Sequence, residues 1–143
     1  MSHNNVFSLA ATAKQSNPYG RMDIEELSDA LQSLVRDSRN VSKKTRLTES
    51  FCKRVFKIEE PTSMEIIAAQ AAQCMQVILR RGGDMIATGK PWEAFTLATE
   101  TLATNNSHFH CPEIGIACAD LKDNSLKAME NNAQTTSPTV AAL

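Results

Sequence analysis

Residues 62–83 constrain the fold more than any other part of the chain. Thr62, with Glu65 three positions later, reads as a helix-starting capping box. Apolar side chains then fill almost every position, with Met64, Ile66, Ile67, Ala68, Ala69, Ala71, Ala72, Cys74, Met75, Val77, Ile78 and Leu79. A helix that is apolar nearly all round has to be covered by neighbours, so it belongs at the centre of its fold. Its alanines permit close approach. Arg80 and Arg81 suit a last turn, and Gly82 and Gly83 suit a left-handed cap, so the pattern predicts a helix end there.

The flanking segments carry helical periodicity of their own. Ile24, Leu27, Leu31 and Leu34, with Val35 beside them, recur at steps of three and four and predict a helix over about 23–38. Acidic residues stand at its start and Arg36 and Arg39 at its end, as the helix dipole favours. Leu47, Phe51, Val55 and Ile58 predict a second helix, starting near Lys43 or Thr48 and capped by Ser42 or Thr48. Pro61 stops it. Pro91 opens a fourth helix with Trp92, Phe95, Ala98, Thr99 and Leu102 as its buried face, ended by Asn105 and Asn106. Trp92 is its expected core anchor. Pro112 opens a fifth, striped by Ile114, Ala117, Cys118, Leu121 and Met129. No segment alternates as a strand does.

The expected fold is therefore all-α, a compact bundle of about five helices spanning 21–130. A polar arm at 1–20, which includes the turn Asn17-Pro18-Tyr19-Gly20, is expected to be flexible, as is an Asn-, Thr- and Ser-rich tail at 131–143 broken by Pro138. At 143 residues the chain has the length of one domain.

Charge is unevenly distributed. Arg36, Arg39, Lys43, Lys44, Arg46, Lys53, Arg54 and Lys57 are opposed in their segment only by Asp37 and Glu49, which leaves +6 over 22 residues. The whole chain carries -1, so the remainder carries -7. Several cations on one surface are what phosphate neutralisation requires. These eight residues are the candidate contacts for RNA or DNA. The same surface would serve an acidic protein partner, and on the bland reading it is a solvated helix face paired with the acids of the first helix. Phe51 and Phe56 are the only rings nearby, which supports base stacking weakly.

A second cluster, His108, His110, Cys111 and Cys118, has the ligand types of a zinc site, but its spacing matches no common zinc pattern. The cysteines at 52, 74, 111 and 118 likewise match no common disulfide framework and read as free thiols in a reducing, intracellular compartment, cytoplasmic or nuclear. Gly82 to Lys90 lacks the phosphate-loop spacing, because Pro91 follows the lysine. With no nucleophile elbow or His-Glu pair, neither catalysis nor a cofactor is expected. Nothing approaches the roughly 20 apolar residues of a membrane span, so no membrane partner is expected.

The resulting expectation is a non-catalytic helical binding protein that associates with itself, through the stripe of the first helix, and with nucleic acid through the basic surface. In layout it is similar to small nucleocapsid-like and nucleic-acid accessory proteins, some of them viral, a likeness of architecture only. The rival expectation is an adaptor or structural subunit whose basic face meets an acidic partner. A zinc-dependent regulator built on His108 to Cys118 is the third.

Overall fold

A computed structural model describes residues 17–41, 43–57 and 59–142, with side chains as far as Asn132. Among these residues the chain forms five α-helices and no strand: α1 (Ile24–Asn40), α2 (Lys43–Phe56), α3 (Ser63–Ala87), α4 (Pro91–Thr104) and α5 (Pro112–Ala142). A π-helical turn, Asn105–Phe109, follows α4. No helix among the described residues is long and apolar enough to cross a membrane. The chain divides into two compact units, Met1–Val77 and Ile78–Leu143, with the division falling inside α3.

In the first unit α1 begins at a full capping box. Asp23 accepts from the Glu26 N–H at 2.8 Å, and Glu26 accepts in return from the Asp23 N–H at 3.1 Å. The stripe Leu27, Leu31, Leu34 and Val35 is buried, along with Ala71, Ala72, Cys74, Met75 and Val77 of α3. The Cys74 thiol donates to the Leu27 carbonyl at 3.5 Å, so the two helices meet at that point. The α1 stripe is thus internal, and the expected pairing of two copies through it is corrected: covering the apolar face of α3 consumes it. The turn at Asn17 forms as the sequence implies, with the Gly20 N–H donating to the Asn17 carbonyl. The Asn17 side chain also donates to the Gln73 carbonyl at 3.2 Å, so residues 17–20 are tied to α3. Residues 1–16 lie outside the described residues, as do Ser42 and Ile58.

The second unit contains the rest of α3. This helix does not stop at Gly82 and Gly83 but runs to Ala87, where Gly89 at φ 82° turns the chain and the Lys90 N–H returns to the Met85 carbonyl at 2.7 Å. Gly89 does what was expected of Gly82 and Gly83. Gly82 is buried against Leu121 of α5.

Helices α4 and α5 pack along each other. The inner face of α4 is Pro91, Ala94, Ala98 and Thr101, a line of small residues. Trp92 is 65% exposed, which corrects its assignment to the core. Small side chains on that line let α5 approach closely, and a ring there would hold it off. On α5, Ile114, Cys118 and Leu121 are buried as their spacing implies, and Ser125 joins them by donating to the Leu121 carbonyl. α5 continues to Ala142, beyond the residue-130 boundary the sequence suggests; no glycine after Gly115 offers it a cap.

Candidate nucleic-acid interface

The basic segment occupies the end of α1 and all of α2. Its corner is set by one hydrogen bond: Arg46 Nη2 donates to the Ser38 carbonyl at 2.8 Å. Ser38 is itself buried and donates to the Val35 carbonyl at 2.7 Å. A carbonyl left open at a helix end needs a donor, and an arginine eight residues later supplies it. This tie brings the last turn of α1 to the first turn of α2. Arg36 and Arg39 from one helix and Lys43 and Lys44 from the other gather at the corner, all four exposed.

The other cations are placed differently. Lys53 forms an ion pair with Glu65 at 2.6 Å. Glu65 is held below its ordinary pKa, first by the hydrogen bond from Lys53. Arg54 and Lys57 are exposed at the far end of α2, where Lys57, at φ 53°, leaves the helix in the left-handed region. The structure therefore sorts the eight candidates into a corner of four, a tie at Arg46, a pair at Lys53 and a distal two. The acids at the start of α1 form no ion pair with any of them among the described residues; of the bland reading the solvated face remains, and only the pairing with those acids is missing.

α2 also presents an unexpected face. Leu47, Phe51 and Val55 are 62%, 52% and 50% exposed, and the helix has no buried residue. This corrects the expectation that they form its inner stripe. The polar side of α2 is held inward instead. Glu49 Oε2 accepts from the Ser63 N–H at 3.0 Å and its hydroxyl at 3.1 Å, while Lys53 reaches Glu65 and Arg46 reaches Ser38. These tethers turn the helix about its axis and leave the apolar stripe in solvent. Periodicity finds such a stripe, but it does not say on which side the neighbour lies.

The four zinc candidates are not brought into a site. Among the described residues no three His, Cys, Asp or Glu side chains are grouped as a metal would need. His110 ends the π-turn at φ 55° with its side chain exposed. Cys118 is fully buried, and burial pushes its thiol up to about 11. The residue that organises this region is Asn105, which sequence reading took for a helix end. It is buried, donates to the Cys111 carbonyl and accepts from the Cys111 N–H, each at 2.9 Å.

A further surface cluster belongs to the second unit. Trp92 stacks on Phe95 with ring centroids 5.8 Å apart, and Lys122 Nζ lies 5.5 Å from the Phe95 centroid. Comparison with protein-family models, with curated proteins and with solved structures finds no match to this chain.

Proposed function

We propose that this chain is a non-catalytic binding protein that associates with itself and holds RNA or DNA at the corner of α1 and α2. The reading is supported by the Arg46–Ser38 hydrogen bond, which ties the last turn of α1 to the first turn of α2, where Arg36, Arg39, Lys43 and Lys44 are all exposed. Placement of the lysines adds weight. The first turn of α2 holds Lys43 and Lys44 and no acid. Cations there oppose the helix dipole and cost about 0.3–1 kcal/mol each. A phosphate offsets that cost, because the positive end of the helix dipole and the cations then face the same anion. The four free thiols fit a reducing, intracellular compartment.

The test is fluorescence anisotropy of labelled single-stranded and duplex RNA across a potassium chloride titration. Affinity should fall steeply with salt, with a log–log slope that reports the phosphates neutralised. Arg36→Glu with Arg39→Glu, Lys43→Glu and Lys44→Glu should abolish binding and leave helicity unchanged. Arg46 is excluded from this set because it holds the corner together. Affinity that ignores salt, or survives the quadruple change, sinks the reading.

A second reading, capture of a protein with an acidic surface, is favoured by one observation, the exposed stripe of α2. Nucleic acid has little use for aliphatic side chains in solvent, whereas protein interfaces are centred on them.

A further inference from the structure

The apolar face of α2 and one face of α5 are complementary in charge and spacing. On α2, Lys44, Leu47, Phe51 and Arg54 recur at steps of three, four and three, and all are exposed. Such a stripe lies along one side of a helix. It has a cation at each end and two large apolar side chains between. On α5, Glu113, Ile116, Asp120 and Asp123 recur at the same three steps and are likewise all exposed. That stripe has an acid at each end, with Ile116, 65% exposed, and a third acid, Asp120, within it. Both frames extend over ten residue steps, about 15 Å of helix. One turn further along α5 Lys127 adds a cation, and a turn beyond that Glu130 adds an acid.

We infer that these two faces dock between copies of this chain: α2 of one copy lies along α5 of another, with its end cations Lys44 and Arg54 against the end acids Glu113 and Asp123 and Leu47 against Ile116. The inference deepens the self-association in the proposed function and is independent of nucleic-acid binding. Two α2 helices would bring cations together around the stripe, whereas α5 supplies acids at matching intervals. The chain's charge segregation, +6 over the basic segment and -7 elsewhere, is then the pattern of a contact between unlike surfaces. Exposed Leu47, Phe51 and Val55 are covered without rearranging α2, whose inward tethers stay in place.

A charge swap on the full-length chain tests this without nucleic acid present. Light scattering over the micromolar range should show a mass rising above 15.7 kDa with concentration and falling back as salt is raised. Lys44→Glu with Arg54→Glu should give a monomer, and so should Glu113→Lys with Asp123→Lys. Mixing these two variants should restore the larger species, since each then meets an opposite partner. Circular dichroism melts unchanged by more than a few degrees establish that both variants are folded. The Glu113→Lys, Asp123→Lys variant retains the α1–α2 corner, so its RNA affinity reports separately on the nucleic-acid reading. A wild type that stays at 15.7 kDa overturns the inference. So does association that persists in either variant alone. If the wild type is monomeric but pellets with phosphatidylserine vesicles through Phe51, the occupant is a lipid surface and the inference fails.

Discussion

A methyl group added at Gly82 would lie 2.5 Å from Cδ2 of Leu121. The glycine is a contact residue: its bare Cα lets α5 lie against α3 within the second unit. Gly83, one position on, is also inside the helix and meets nothing within 4 Å. The two glycines therefore answer oppositely to the same substitution. Gly82→Ala forces a buried leucine to move, and overpacking of that kind costs about 1–3 kcal/mol, only partly offset by better helix propensity. Gly83→Ala has only the propensity gain and should stabilise by about 0.5–1 kcal/mol. Urea unfolding of the pair checks this. If both substitutions stabilise, the Leu121 side chain turns aside without cost and Gly82 does not set the approach of α5.

How far the sequence could be read follows from the same pair. Two adjacent glycines after two arginines have the form of a helix end, and local chemistry offers no way to see that a neighbour needs the space. Periodicity succeeded where one face dominates: Leu27, Leu31 and Leu34 of α1, and Ile114, Cys118 and Leu121 of α5, are buried as spaced. It failed on α2 and α4. There the large side chains Phe51 and Trp92 attracted the assignment, whereas tethers at Glu49 and Lys53, or the small line Ala94, Ala98 and Thr101, set which side faces inward. The cationic corner was legible as composition. Its geometry was not, because it depends on Arg46 reaching a carbonyl eight residues back.

Burial separates two leucines that look alike in the sequence. Leu27 and Met75 are fully buried, so Leu27→Ala and Met75→Ala should each cost about 2–5 kcal/mol. Leu47, in an equally regular stripe, is mostly in solvent, and Leu47→Ala should change the stability of the monomer by under about 0.5 kcal/mol. Thermal melts at low concentration distinguish them. A large loss at Leu47 in the monomer would place α2 the other way round.

The cysteines should divide into two reactive and two inert. Burial pushes Cys74 and Cys118 up to about 11, while Cys52 and Cys111 are partly exposed. Iodoacetamide at pH 8 should add two groups quickly, at Cys52 and Cys111, and two more only on unfolding; four fast additions would mean the core is open. The raised values also give stability an alkaline limit. Below the unfolded thiol pKa near 8.5 the protein keeps the full contribution. As pH rises from there towards 11, the unfolded chain releases these protons and the native chain does not. Stability should then fall by about 1.4 kcal/mol per pH unit for each thiol. Serine at both positions should flatten the slope, as read by denaturant titrations between pH 8 and 10.5.

Asn105 closes the π-turn, and its removal should be felt at Cys111. The Asn105 backbone carbonyl already accepts from His110 at 2.6 Å, the long-range bond of a π-turn, and its side chain pairs with both polar groups of Cys111. Those two groups do not depend on it equally. The Cys111 carbonyl also accepts from the Gly115 N–H at 3.1 Å, the first hydrogen bond of α5, so it keeps a partner without Asn105. Nothing comparable is seen for the Cys111 N–H. Asn105→Ala should leave that donor unsatisfied, with a loss of about 1–3 kcal/mol. Asn105→Asp should do no better: the carboxylate can still accept from the N–H, but it meets the Cys111 carbonyl without a donor and places a charge in a buried site. Hydrogen exchange at the Cys111 amide is the direct readout. Protection there should collapse in Asn105→Ala while the amides of Ala94 and Ala98, inside α4, stay slow. Unchanged protection at Cys111, with a stability loss under about 0.5 kcal/mol, would show that the turn holds without its asparagine.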